Sequence, residues 1–183
     1  MTELFAGIRV LDVAQNTFGP AAAGILADFG ADVIKIEHPV RGDPQRGLVT
    51  AAIQPTIGGV NLGMAQVNRG KRSMGLDLTS SLGVDILHDL VKGSDVFLTN
   101  FLPRTTFKLR IDEETVRTVN PRIVYARATG QGPRGPDSEK PAYDSTSYWA
   151  RGGVGAGRTS FAGRKSMPSG FERYPGAVEA TPV

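Results

Sequence analysis

The run FGADVIKIEHPVRGDPQRG, from Phe29 to Gly47, carries β-favouring residues into a carboxylate, Glu37, and then breaks into a loop of charges, Gly and Pro. An acid closing the second strand of a βαβ unit usually pairs with a ribose, so dinucleotide binding is the first chemistry to test. That chemistry needs glycines in the first strand-to-helix turn, where backbone N–H groups approach a pyrophosphate. The turn here is AQNTFGPAAAG: it holds no G-x-G-x-x-G, and Gly19 is followed by Pro20, which has no N–H to offer. The nicotinamide reading falls, and Pro20 reads instead as the first residue of a helix.

The block TNFLPRTTFKLRI holds the other parts a nucleotide would need. Asn100 has an amide that can pair with an adenine edge, Phe101 an apolar face, and Lys108 a cation suited to phosphate. Lys71 and Arg72 in GKRSM are second-rank phosphate ligands, since a charged loop is ordinarily just solvated. GQGPRGP, from Gly130, resembles a phosphate cradle, but its prolines remove donors, and flexibility before the next helix is the safer inference. With no Cys and two His, the chain offers no disulfide, no thiolate nucleophile and no metal centre.

The elements that must position these residues alternate strand and helix. Strands are expected at 8–14, 32–37, 73–78, 95–100 and 122–129. A small-residue helix at 19–30 is closed by Gly30, and a second helix carries Val84, Leu87 and Val91 on one face behind an N-cap at Thr79 or Ser80. Asp112 caps a third, short helix, with Glu113 and Glu114 in its first turn and Asn120-Pro121 as its stop. Strands joined by helical crossovers make a parallel sheet, so the expected fold is a Rossmann-like doubly wound α/β domain. Ligands in such sheets sit at the carboxyl ends of the strands, here Gln15–Gly19, Glu37–Gly47, Asn100–Arg104 and Gly130–Gly135.

Composition bounds the function. The 183 residues, 40% of them hydrophobic, are enough for one full α/β core. The net charge of +3 lies wholly beyond residue 150, so no basic face for nucleic acid is expected on the folded part. No window approaches a membrane span, and MTELFAGIRV is not a signal peptide; a cytoplasmic protein is expected. From Gly155 onward apolar periodicity gives way to Gly, Ser, Pro and Arg, which sets a domain at 1–154 and an irregular tail at 155–183.

Several ordered blocks, GIRVLDVA, GPAAAGILADFGADVIKIEHPVRGD, NRGKRSMGLDL, DVFLTNFLP and NPRIVYARATGQGPRGP, together resemble the family III CoA-transferases, the group that includes acyl-CoA racemases. The resemblance implies a CoA site at the carboxyl edge of the sheet and two interlocked subunits. By position it implies that His38, Leu76, Asn100, Phe101, Lys108 and Leu109 line the CoA site, and that Tyr143 and Asp144 contact substrate. Racemase members carry a His where this chain has Tyr143, and a phenol titrating near pH 10 is a poor proton shuttle. Transferase is therefore expected ahead of racemase or epimerase.

In the family, a single Asp attacks the acyl-CoA thioester, and CoA passes to the acceptor acid through an anhydride and an aspartyl thioester. The matching segment here is PSGFERYPGAV, which puts Arg173 at the nucleophile's place. Arg stays protonated and cannot attack, and Glu172 is one position off. No catalytic residue is assigned. The expectation is a truncated family member, inactive alone, that binds acyl-CoA and a carboxylic acid and pairs with itself or with a full-length relative. The alternatives are a natural half-length subunit and a catalytically silent CoA-binding or assembly module.

Overall fold

A computed structural model of the chain describes residues 3–50, 56–143 and 145–155. The chain divides into two compact units, Met1–Ala128 and Thr129–Val183.

In the first unit the elements run β1 (Arg9–Val13), α1 (Phe18–Asp28), β2 (Asp32–Glu37), a 3₁₀ turn (Pro44–Arg46), α2 (Gly47–Thr50), a two-residue-per-strand hairpin of β3 (Thr56–Ile57) and β4 (Val60–Asn61), α3 (Leu62–Asn68), β5 (Arg72–Gly75), α4 (Ser81–Lys92), β6 (Val96–Thr99), α5 (Pro103–Lys108), α6 (Glu113–Val119) and β7 (Val124–Arg127). Five strands form one sheet in the order β5-β2-β1-β6-β7, every pairing parallel. The chain leaves β1 toward one edge, then crosses back to lay β6 on the other side. The expected doubly wound sheet is therefore present, with its topological switch between β1 and β6.

Alternation along the strands builds a core on each face. Leu11, Ile34 and Phe97 point to one side, where Leu87 and Val91 of α4 and Val116 of α6 cover them. Val10, Val33 and Leu98 point to the other, against Ala23 of α1. Burial on both faces is what strands of a parallel sheet need, and it explains their near-continuous apolar runs. Phe97 and Tyr125 extend the first core by stacking, with centroids 5.4 Å apart. Helix α1 can lie close because its inward face is small: a Cβ on Gly24 would sit 3.0 Å from the Val67 carbonyl of α3.

Two expectations are corrected here. Helix α1 starts at Phe18 with Thr17 as N-cap, which makes Pro20 the third helical residue rather than the first. Its missing N–H still falls among the four that a helix start leaves without partners, so the ring is tolerated. The stretch between β2 and β5, which the sequence reads as loop, holds α2, the hairpin and α3. Asn61 caps α3 by accepting from Met64 N–H at 3.1 Å.

In the second unit, a π-helical segment spans Ser145–Arg151. Asp137 gathers Lys140, at 2.7 Å, and Arg151. These two cations hold its carboxyl below the usual carboxylate range. Arg151 also donates to Gln131 Oε1 at 3.1 Å.

Candidate functional site at the carboxyl edge of the sheet

The loops that follow β1 and β6 meet at the switch point. Asn100, one residue past β6, closes them together: its Oδ1 accepts from Gln15 N–H at 2.8 Å and its Nδ2 donates to Gln15 O at 2.7 Å. The amide proposed for an adenine edge is thus engaged on backbone across the crevice. Phe101 and Leu109 pack against the larger core cluster, of which Leu76 is a buried member.

Beneath the loops lies a charge cluster that the sequence reading missed. Asp12 and Lys35, in the middle of apolar strands, are 0% and 2% exposed, and Asp43 is 2% exposed. Lys35 Nζ donates to Asp43 Oδ2 at 3.0 Å and to the Ala14 carbonyl. Lys71 Nζ donates to Asp12 Oδ2 (2.7 Å), Pro20 O (2.7 Å) and Asn68 Oδ1 (3.1 Å). Buried charges persist only when paired and hydrogen-bonded, and two carboxylates against two ammoniums meet that condition. The available signal was a lone charge of each sign inside the apolar runs LDV and IKI.

Lys71 and Arg72 are corrected accordingly. Lys71 is neither solvated nor a phosphate ligand, because all three of its N–H groups are taken inside the protein. Burial pulls its pKa below the ordinary lysine value although Asp12 pushes the other way. Arg72 forks onto Asp32, at 2.8 and 2.6 Å, and Asp32 opens β2 at the amino edge of the sheet, opposite the ligand side.

The loop after β2 is equally well determined. His38 Nδ1 accepts from the N–H groups of Val40 (3.2 Å) and Arg41 (3.1 Å), which places the ring proton on Nε2, 3.9 Å from Asp77. Nε2–H is thereby presented as a donor at the carboxyl edge of the sheet. Glu37 accepts from Arg46 on both oxygens, at 2.8 and 2.9 Å, and from Asp43 N–H at 2.9 Å. The guanidinium lowers its pKa against the effect of burial.

A cleft of about 330 Å³ opens between the end of α5 and the start of α4. Lys108 and Arg110 face Thr79, Ser80 and Ser81 across it, with Leu78, Val84 and Leu109 as the apolar part of the wall. Arg110 has φ 55, and its carbonyl is held by His88 Nε2 at 2.9 Å. Two cations, the Ser81 hydroxyl and the N-terminal end of a twelve-residue helix favour phosphate, while Thr79 and Ser80 give their hydroxyl protons to Asp77 Oδ1 (2.6 Å) and Asp77 O (2.9 Å), and the apolar wall suits a flat base. The structure therefore sets Lys108 and Leu109 in one cleft, Leu76 and Phe101 in the core beside them, and His38 on a neighbouring strand end. Tyr143, in the second unit, is exposed and ties its N–H to Thr146 Oγ1 at 3.0 Å. Asp144, Glu172 and Arg173 lie outside the described residues.

A family model described as CoA-transferase family III matches residues 5–173. The cinnamoyl-CoA:phenyllactate CoA-transferase of Clostridium sporogenes is 38% identical over 153 residues, which cover 84% of this chain and 37% of that protein. The succinyl-CoA–L-malate CoA-transferase beta subunit of Chloroflexus aurantiacus is 36% identical over 173 residues, or 94% of this chain and 40% of that one. Among solved structures, a CAIB/BAIF family protein from Brucella suis superposes with a TM-score of 0.74 at 33% identity, covering 84% of this chain and 40% of its own. The chain spans about two fifths of the length of these relatives.

Proposed function

The chain belongs to CoA-transferase family III, and from that premise we propose that it forms the CoA-binding part of an enzyme that moves CoA between an acyl-CoA and a carboxylic acid. One observation carries the reading. Lys108 and Arg110 face the hydroxyl-rich start of α4 at the carboxyl edge of a doubly wound sheet, beside an apolar wall. In this reading Lys108 holds a phosphate, His38 offers Nε2–H to another, Leu109 stands with Leu78 and Val84 in the wall for the base, and Leu76 and Phe101 back that wall from the core. Asn100 acts through the loop it closes, and the family resemblance assigns Tyr143 and Asp144 to substrate contact.

The transfer proceeds by carboxylate exchange. A carboxylate attacks the thioester carbonyl and expels CoA thiolate, leaving a mixed anhydride; the thiolate attacks the carboxylate's own carbonyl and releases the donor acid, the acceptor acid attacks the thioester so formed and expels the thiolate to give a second anhydride, and the thiolate takes the new acyl group and frees the carboxylate. The resemblance puts Arg173 at the place of that carboxylate when Phe171 is matched to the family aromatic, so we assign this chain binding rather than attack. We place it in the cytoplasm, paired with a second copy or a longer relative; among the described residues no helix is long and apolar enough to cross a membrane.

The test is the thermal midpoint with and without CoA. Ligand at a hundred times its Kd stabilises by about 2.7 kcal/mol, and Lys108→Ala should remove most of that shift while leaving the unliganded midpoint alone, because the side chain is exposed. Equal shifts in wild type and variant would sink the site. Labelled CoA exchange into acyl-CoA separates a transferase from a silent binder, and deuterium uptake at the α-carbon would indicate a racemase.

A further inference from the structure

Three consecutive residues at the switch point are each held on the backbone by side chains of the sheet or of its carboxyl-edge loops. Ala14 N–H donates to Asp12 Oδ1 at 3.2 Å and Ala14 O accepts from Lys35. Gln15 is bound on both its backbone groups by Asn100. Asn16 N–H donates to Asp43 Oδ1 at 2.9 Å. Asn16 has φ 63, a left-handed conformation that asparagine adopts more readily than other residues with a Cβ, and a carboxylate from another loop holds its N–H there. Asp43 is that holder: the same oxygen accepts from Gln45 N–H at 2.9 Å, and its other oxygen faces Lys35.

Stability does not account for such a pair. An apolar pair of similar volume is often as stable as a buried ion pair, or more so, while the ionic version fixes geometry. We propose that Asp43 and Lys35 are positioning residues for the acyl-CoA crevice, holding Ala14 to Asn16 in one backbone conformation so that the loop meets its ligand preorganised. The inference rests on the CoA-binding reading above. It adds a group of residues that touch no ligand yet fix the backbone at the topological switch point, where doubly wound sheets take their ligands, and small displacements there are costly.

Asp12 and Lys71 pair directly at 2.7 Å, so Lys35 and Asp43 can be exchanged together without unbalancing the buried charge. Two double variants of equal charge separate positioning from stability. Lys35→Gln with Asp43→Asn keeps a donor for Ala14 O and an acceptor for Asn16 N–H; Lys35→Met with Asp43→Leu keeps neither. Binding of CoA to the folded fraction, measured by titration calorimetry, should weaken at least about tenfold in the apolar pair and stay within about threefold of wild type in the amide pair. Amide exchange at Asn16 should speed up in the apolar pair alone. If both pairs bind CoA alike, the proposal is overturned. If the apolar pair does not fold, Asp43→Glu takes its place: the charge is kept, the carboxylate is displaced by one methylene, and unchanged CoA affinity overturns the proposal. A wild type that binds no CoA would sink the functional reading before any substitution is made. Asn16 exchange then decides the clamp by itself, and equal rates in the two pairs would refute it.

Discussion

Glu37 ends β2 with both carboxylate oxygens engaged inside its own loop, by Arg46 and by the Asp43 N–H. Its pKa is lowered from 4.5, first by the Arg46 hydrogen bonds, so the folded state binds its proton less readily than the unfolded chain does. The sign follows from linkage: the stabilisation is fully present above the unfolded value and is lost as pH falls through the depressed one. Glu37→Gln should therefore lower the thermal midpoint at pH 7, with the gap to wild type closing as the pH drops below about 4. A gap independent of pH would show that the charge plays no part. The sequence marked Glu37 as unusual from its place at a strand end. It could not show that Arg46, nine residues on, would take the acceptor sites a ribose needs, because that depends on the path of the intervening loop.

Helix α4 carries one wall of the cleft, and its start is built to a tight tolerance. Ser80 caps it by accepting from Gly83 N–H at 3.1 Å, and a Cβ on Gly83 would lie 2.1 Å from the Asp77 carbonyl. Propensity alone gives Gly→Ala in a helix a gain of about 1 kcal/mol. Contact this close reverses the sign, because the obstacle is backbone and α4 must shift to relieve it. Gly83→Ala should thus lower the midpoint, by about 2–4 °C for each kcal/mol lost, and should blunt the response to CoA by moving Thr79 to Ser81. A raised midpoint would refute the steric argument. The caps at Ser80 and Asp112 were legible in the sequence because a cap is a local contact between residues three apart. The elements between β2 and β5 were not, since pieces of two to seven residues are too short for a period to declare itself.

At the scale of the molecule, the alternation of strand and helix signals was enough to foresee a parallel doubly wound sheet, and the strand order bears this out. The buried cluster was beyond reach, because Asp12, Lys35, Asp43 and Lys71 meet only once that order is set. The order also separates near from far pairings: Arg9 faces Asp32 in β2, whereas Val10 faces Val96 in β6. Closing the longer of the two loops costs about 1 kcal/mol more in chain entropy. The β1–β2 pair should form first, so Val33→Ala should chiefly slow refolding and Leu98→Ala chiefly speed unfolding, as stopped-flow kinetics would record. The reverse pattern would put the nucleus on the other side of β1.

The central place of β1 has a consequence for the chain as it is made. A strand begun at Arg9 acquires its second neighbour only when Val96 to Thr99 have left the ribosome. At about 5–20 residues per second, one edge of β1 stays open for several seconds of synthesis with β2 already in reach. During that interval the nascent chain presents the unpaired backbone of Val10 to Val13 to whatever strand is nearby, including the β1 of a neighbouring nascent chain on the same message.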